Sequence, residues 1–313
     1  MSETKNIDTA RKQIDAIDDK ISDLFVRRME LALSIAKYKK ENGIAVTDTS
    51  RETEILHRVT GRIGTPTDRY ARILFNTLFD VSRSYQRSLM NDSSGIRETI
   101  EQAETRTPGV FPESAAVACM ADAYQSSKSA VEKLFKSPSV EFFSNVEDIF
   151  AAVRNGICEY GLVPAENNSY HSFGRIYDLI KSRSFYIVRT IRLNTKEKQR
   201  EKSGSERQDS HYKRFICISK NLEIYPDAST ISIMLSHVRR PASLYNILCS
   251  FSSPGFSVAR LESRNIPGSG SDFMFYFDID VPVCRQDVVD FLRELDLSPE
   301  TFTFLGSYKE IYR

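Results

Sequence analysis

Arg28 and Lys39 stand eleven residues apart in a stretch whose apolar residues recur every three to four positions. On an α-helix that separation turns the chain through about 1100° and advances it roughly 16 Å, so both cations share one face. Arg28 also falls in phase with Ile7, Ile14, Ile21 and Ile35, at steps of seven. A cation in an apolar seam needs an anion. Two long cationic side chains at this spacing can converge on one small anionic ligand. The plainer reading stays open from spacing alone: Arg28 snorkels or pairs with an acid, and Lys39 is the cation of a helix C-terminus. Arg11 lies 17 residues before Arg28. It is then about 25 Å away and rotated by about 100°, too far to share a ligand within one chain. In an antiparallel pair of chains it reaches the partner's ligand.

Asp48, Arg51 and Glu52 form a second group at i, i+3, i+4 on one helical face. Here the plain reading is an N-cap Asp48 followed by a surface Arg–Glu pair. Ser82 and Gln86 stand at i, i+4 beside an apolar stripe and, taken singly, read as surface-facing polar residues.

Three helices position these groups. Ile7, Ala10, Ile14, Ile17, Ile21, Leu24, Leu31 and Ile35 mark one long amphipathic helix over 7–40, ended by Asn42-Gly43. A second helix runs from Thr47–Ser50 through Ile55, Leu56, Val59 and Ile63. Beyond Thr65-Pro66-Thr67 a third carries Tyr70, Ile73, Leu74, Leu78, Val81 and Tyr85 on one face. Two shorter helices cannot cover the whole of the first, so a second copy of the chain is the economical way to bury its seam.

The remainder reads differently. Residues 91–107 are polar, a linker with a short helix. From 108, helices at Ser114–Tyr124 and Val146–Asn155 alternate with apolar runs at Gly161–Pro164, Phe185–Ile191 and Arg214–Ser219, an α/β pattern. Residues 194–212 are almost devoid of apolar side chains and read as a disordered linker. Residues 228–313 follow a βαββαβ order, with strands Thr230–His237, Phe256–Arg264, Phe273–Asp280 and Thr301–Tyr308 and helices Ala242–Phe251 and Arg285–Leu295, the ferredoxin-like pattern. A formal net charge of +1 on 313 residues argues against a nucleic-acid binder. No apolar run reaches the roughly 20 residues of a membrane span, and no secretory signal is visible at the N-terminus. Five scattered cysteines without Cys-x-x-Cys fit reduced thiols in the cytoplasm and no zinc. The four histidines have no metal or triad spacing, so no metal and no cofactor is expected.

The segments IDTARKQIDAIDDKISDLFVRRMELALSIAKYKKENG, TDTSRETEIL and DVSRSYQ resemble the all-helical chorismate mutase family over about the first 90 residues. Arg11, Arg28, Lys39, Asp48, Arg51, Glu52, Ser82 and Gln86 all fall on that family's active-site pattern. The resemblance implies an intertwined helical dimer converting chorismate to prephenate. It assigns Arg28 and the partner's first-helix arginine (Arg11) to the substrate carboxylates, with Lys39 and Gln86 on the ether oxygen as the catalytic pair. Asp48 and Glu52 go to the ring hydroxyl, while Arg51 and Ser82 complete the carboxylate contacts.

The rest resembles prephenate dehydratase followed by an ACT domain, as in the bifunctional chorismate mutase/prephenate dehydratase family. Gly109-Val-Phe-Pro-Glu-Ser-Ala-Ala matches a family motif except that Pro112 replaces a serine. Pro164-Ala-Glu-Asn-Asn-Ser matches another, with Asn168 at a serine position and His171 at a glycine position. Lys213-Arg214-Phe215 stands where the family has Thr-Arg-Phe, and the linker 194–212 occupies the place of a whole lobe. Glu166, Asn167 and Arg214 are read as surface hydrogen-bonding groups. In the ACT-like tail, Ala242, Ser243 and Leu244 with Glu262, Ser263 and Arg264 mark the segments that bind phenylalanine in the family.

The sequence therefore divides into a chorismate mutase domain (1–92), a linker (93–107), a degenerate dehydratase-like α/β domain (108–220) and an α+β ferredoxin-like ACT domain (228–313). The expected function is a chorismate mutase of phenylalanine biosynthesis with an inactive dehydratase segment. The expected partners are chorismate and prephenate, phenylalanine as effector and a second copy, with no nucleic acid and no membrane. Two alternatives stand beside it: the fully bifunctional enzyme yielding phenylpyruvate, and a non-catalytic phenylalanine-sensing subunit.

Overall fold

The computed structural model describes residues 2–44, 46–63, 66–90, 95–165, 173–195, 211–238, 244, 247–248, 251, 255–266, 272–297 and 301–313. They form two compact units, Met1–Ser94 and Gly95–Arg313.

The first unit holds α1 (Ser2–Glu41), α2 (Thr49–Ile63) and α3 (Asp68–Met90). With no Gly or Pro to interrupt it, α1 runs 40 residues, about 60 Å. Gly43, at φ 65°, ends it in a Schellman turn: Ile44 N–H donates to Lys39 O at 2.9 Å and Gly43 N–H to Lys40 O at 3.4 Å. Among the described side chains of α1 the buried ones are Ala32 and Ala36, small enough to let α3 approach closely. Among the described side chains of α3 the buried ones are Ala71, Phe79, Ser82 and Gln86. The surface-facing reading of Ser82 and Gln86 is thus overturned. The apolar stripe itself stays open: Ile7, Ile14, Ile17, Ile21, Leu24, Leu31 and Ile35 on α1, and Tyr70, Ile73, Leu74, Val81 and Tyr85 on α3, are all exposed in the single chain.

The second unit is built on one sheet of nine strands: β1 (Ala116–Met120), β2 (Ser139–Phe143), β3 (Tyr160–Pro164), β4 (Tyr186–Thr195), β5 (His211–Ser219), β6 (Thr230–Val238), β7 (Ser257–Asn265), β8 (Phe273–Asp280) and β9 (Thr301–Tyr312), in the order β2-β1-β3-β5-β4-β9-β6-β8-β7. Its helices are α4 (Ile96–Arg106), α5 (Tyr124–Leu134), α6 (Val146–Arg154), α7 (Phe173–Ser182) and α8 (Gln286–Asp296). β1 pairs in parallel with β2 and β3, the arrangement that crossover helices impose. β6, β7, β8 and β9 lie antiparallel in the order β9-β6-β8-β7. That is the ferredoxin-like order, and helical Leu244, Ile247, Leu248 and Phe251 pack into the core beside it.

β9 belongs to both halves. Its first part pairs with β6, and Lys309–Tyr312 pairs in parallel with β4. Gly306, at φ 143°, lies where the β6–β9 register shifts, with Ser232 opposite Gly306 and Ile233 opposite Phe304, and a Cβ there would collide with the backbone of Ile187.

Three expectations change. The helix read over Ser114–Tyr124 is instead strand β1, because Val117, Ala118 and Cys119 are fully buried between helix layers, and burial overrides alanine's helix preference. The short helix read within the 91–107 linker is α4, and Ile96, Ile100 and Ala103 place it in the core rather than in a linker. Within 194–212, the ends are paired strand, Asn194 with Tyr212 and Thr195 with His211, while 196–210 lie outside the described residues. Among the described residues no helix is long and apolar enough to cross a membrane.

Candidate functional site

On the α1–α3 face of the first unit, Arg28 is half-buried. It donates to Leu78 O at 2.9 Å and to the Ser82 hydroxyl, with its guanidinium 6.0 Å from the Phe79 ring. Burial lowers its pKa from the ordinary value. Lys39, three turns on, donates to Val46 O at 2.6 Å. Among the described residues no carboxylate pairs with either cation. A partly desolvated cation satisfied only by neutral oxygens retains most of its attraction for an anion.

Beside Ser82 on α3, Gln86 is 8% exposed and its Oε1 has no hydrogen-bond partner among the described residues. A buried amide end left open in this way is completed by a ligand atom or by water. Asp48 caps α2, accepting from the Arg51 N–H at 3.0 Å. Glu52, in the first turn of α2, is held by Arg83 of α3, which also bridges to Asp80. Arg83 and Asp80 were missed by the sequence reading, although their i, i+3 spacing is a pairing signal.

Two expected members lie apart. Arg51 points outward and pairs with Glu54 at 2.6 Å. Arg11 is 73% exposed and pairs loosely with Asp8 at 3.5 Å. Arg28 thus meets Ser82 on the buried side of α3 that also carries Gln86, Glu52 is tied to α3 through Arg83, Lys39 is tied to the segment between α1 and α2, and Arg11 stays far along α1.

In the second unit Arg214 is 1% exposed, one of the largest fully buried side chains, which overturns its reading as a surface group. Its Nε donates to Glu310 Oε1 at 2.7 Å, its Nη1 to the Tyr177 hydroxyl at 3.3 Å, and its Nη2 to the Tyr308 hydroxyl at 3.1 Å, with Asp278 Oδ2 at 3.1 Å. Burial alone would lower its pKa, but Tyr308, Tyr177, Asp278 and Glu310 outweigh that and raise it. Phe111, next to Pro112, packs at a tilt on Phe135 and edge-to-face on Tyr225, and its ring centroid lies 4.7 Å from the buried Arg189 guanidinium. Glu166, Asn167, Asn168 and His171 lie outside the described residues.

Of the expected effector residues, Ala242 and Ser243 also lie outside the described residues, and Leu244 packs against the core. Glu262 pairs with Arg260 at 3.3 Å, Ser263 is exposed on β7, and Arg264 pairs with Asp178 of α7.

Residues 10–87 match the family described as chorismate mutase type II, and residues 120–221 match that described as prephenate dehydratase. The bifunctional chorismate mutase/prephenate dehydratase of Escherichia coli strain K12 is 28% identical over 185 residues, covering 58% of this chain and 46% of that protein. That of Buchnera aphidicola subsp. Schizaphis graminum is 24% identical over 186 residues, covering 59% and 46%. The chain therefore spans about half the length of the curated relatives it matches. Among solved structures, prephenate dehydratase from Streptococcus mutans is similar at TM-score 0.51 and 18% identity, covering 64% of this chain and 100% of that one. At that identity the likeness shows the fold alone.

Proposed function

From a chain that joins a type II chorismate mutase segment at 10–87 to a prephenate dehydratase segment at 120–221, we propose a chorismate mutase of aromatic amino acid biosynthesis whose dehydratase-like half does not catalyse. The observation that carries the mutase reading is the pair of cations eleven residues apart on α1, Arg28 and Lys39, bonded to the neutral oxygens of Leu78 and Val46 with no carboxylate partner among the described residues. The reaction is an intramolecular rearrangement: the ether C–O bond breaks as a C–C bond forms, with no nucleophile, metal or proton transfer. The catalyst folds a flexible dianion into a reactive shape and stabilises charge growing on the ether oxygen. Arg28 takes one carboxylate, with Ser82 fixing its fork. Lys39 and the open amide of Gln86 serve the ether oxygen, and Asp48 and Glu52 the ring hydroxyl. Arg51 turns from Glu54 to the substrate.

The site is completed in a homodimer. The exposed apolar stripe on α1 and α3 supports burial against a second copy, which brings the partner's first-helix arginine to the site and gives Arg11 its role. Arg28→Ala or Lys39→Ala lowers turnover of chorismate by about 10²–10³ with helicity unchanged, the scale of losing one preorganised charge-stabilising donor. Retained turnover in both variants contradicts the assignment.

The dehydratase reading is the runner-up, favoured by the family match at 120–221. Against it, Arg214 is buried and each of its three nitrogens is already engaged by a protein group. Lys213 also supplies no hydroxyl to assist loss of water. The ferredoxin-like tail is an ACT domain, and phenylalanine, as effector, binds there through the 242–244 and 262–264 segments. A zwitterion with one carboxylate leaves the cation-rich mutase site unneutralised.

A further inference from the structure

Arg83 joins two carboxylates at the edge of the helical site. One guanidinium nitrogen pairs with Glu52 of α2 and another with Asp80 of its own helix. All three side chains are largely buried, at 19%, 25% and 26% exposure. Glu52 lies near the positive N-terminal end of α2, and Arg83 sits between Ser82 and Gln86 on α3. We propose that Arg83 is the positioning residue of the mutase site, a bridge that pins the Glu52 carboxylate where it accepts the substrate's ring hydroxyl. This rests on the mutase reading above.

The physical need is plain. The substrate is a dianion, and an unneutralised Glu52 repels it. A side chain in the first turn of a helix also samples several rotamers unless something holds it. Arg83 answers both: it offsets the charge and, with its own fork anchored by Asp80, fixes one oxygen of Glu52 and leaves the other free to accept. The planar guanidinium can reach two carboxylates at once, which the compact ammonium of lysine cannot reproduce. Asp80 is then the support of the bridge.

The ring hydroxyl is present in substrate and transition state alike, so losing its acceptor weakens both equally. That raises KM and leaves kcat nearly unchanged. Arg83→Met in the full chain should raise KM for chorismate about tenfold, the scale of a lost hydrogen bond to a charged group, with kcat within about twofold. Arg83→Lys should recover part of the loss. In a Glu52→Gln background, Arg83→Met should add little, because both changes remove one unit. Helical circular dichroism separates loss of fold from loss of position. If the wild-type chain turns over chorismate and folded Arg83→Met keeps its KM, or the two losses simply add, the positioning role is overturned and the mutase reading stands. If the wild-type chain does not turn over chorismate, both fall together.

Discussion

Arg214 Nε lies 2.7 Å from Glu310 Oε1, joining β5 to the last strand of the chain. Glu310 is tied in turn to Arg192 of β4 at 3.1 Å and to the Tyr312 hydroxyl at 2.7 Å. The motif arginine of the dehydratase-like half is therefore the anchor of a buried ionic cluster that spans α7, β5, β8 and β9. Its N–H groups hold the sheet together where two segments of different resemblance meet.

Removing that cation leaves Glu310 and Asp278 without their main partner in a dry interior. Arg214→Met should destabilise the second unit by about 3–5 kcal/mol, the range for breaking a buried ion pair from one side. Urea denaturation followed by tyrosine fluorescence reads this. A loss below about 1 kcal/mol would place the arginine among surface pairs.

The same cluster makes stability depend on acid. Burial alone raises the Glu310 carboxyl, but Arg214, the Tyr312 hydroxyl and Arg192 outweigh burial and hold it below its ordinary value. An acid held low in the folded state adds stability above its unfolded value near about 4.3, and that stability is lost as pH falls through the lower folded value. Wild type should lose its denaturation midpoint from about pH 5 downward, and Glu310→Gln should start lower at neutral pH and lose less on acidification. Parallel pH curves for the two proteins contradict this.

Gly306 is the backbone condition for a strand shared by both halves. A Cβ there meets the Ile187 backbone, which cannot yield as a flexible side chain does. Gly306→Ala should cost about 3 kcal/mol or more, read by thermal unfolding. An unchanged Tm shows that β9 can shift register without penalty.

The long helix, the two that follow and the ferredoxin-like strand order were legible because their signals are local: a 3–4 spacing without Gly or Pro, and alternating strands bounded by turns. The burial of Arg214 was not. Its acids sit on strands paired far along the chain; Thr190 and Glu310, for example, touch across 120 residues. Nothing near Lys213-Arg214-Phe215 signals such partners. β1 was misread because a small-residue run buried on both faces looks like a helix when alanines dominate it. At the site, Ser82 and Gln86 taken singly read as surface residues, and only the family resemblance put them in the site; both are buried, while Val81 and Tyr85 beside them are exposed in the single chain.

The exposed stripe on α1 and α3 underlies the dimer prediction. Leu24→Asp places a charge in the exposed stripe, so sedimentation should report a monomer with chorismate turnover lost. Mixing Arg11→Ala chains with Lys39→Ala chains should regenerate one intact site per heterodimer. A fully active Leu24→Asp monomer, or inactive heterodimers, contradicts a site completed by the partner.

Phenylalanine binding is best read on the full chain, since β9 and the Arg214 cluster tie the tail into the second unit's sheet. Calorimetry should show heat of binding to wild type, diminished in Arg264→Ala, which removes the cation paired with Asp178. Binding lost instead in Arg28→Ala places phenylalanine at the mutase site and contradicts the tail assignment.

The central claim is a working mutase beside a silent dehydratase-like half. One assay meets it directly: purified full-length chain given chorismate, with chorismate loss and phenylpyruvate formation followed separately. The account predicts rapid loss of chorismate to prephenate, and phenylpyruvate no faster than prephenate yields it without protein. Undiminished chorismate, or phenylpyruvate formed in step with its loss, contradicts it.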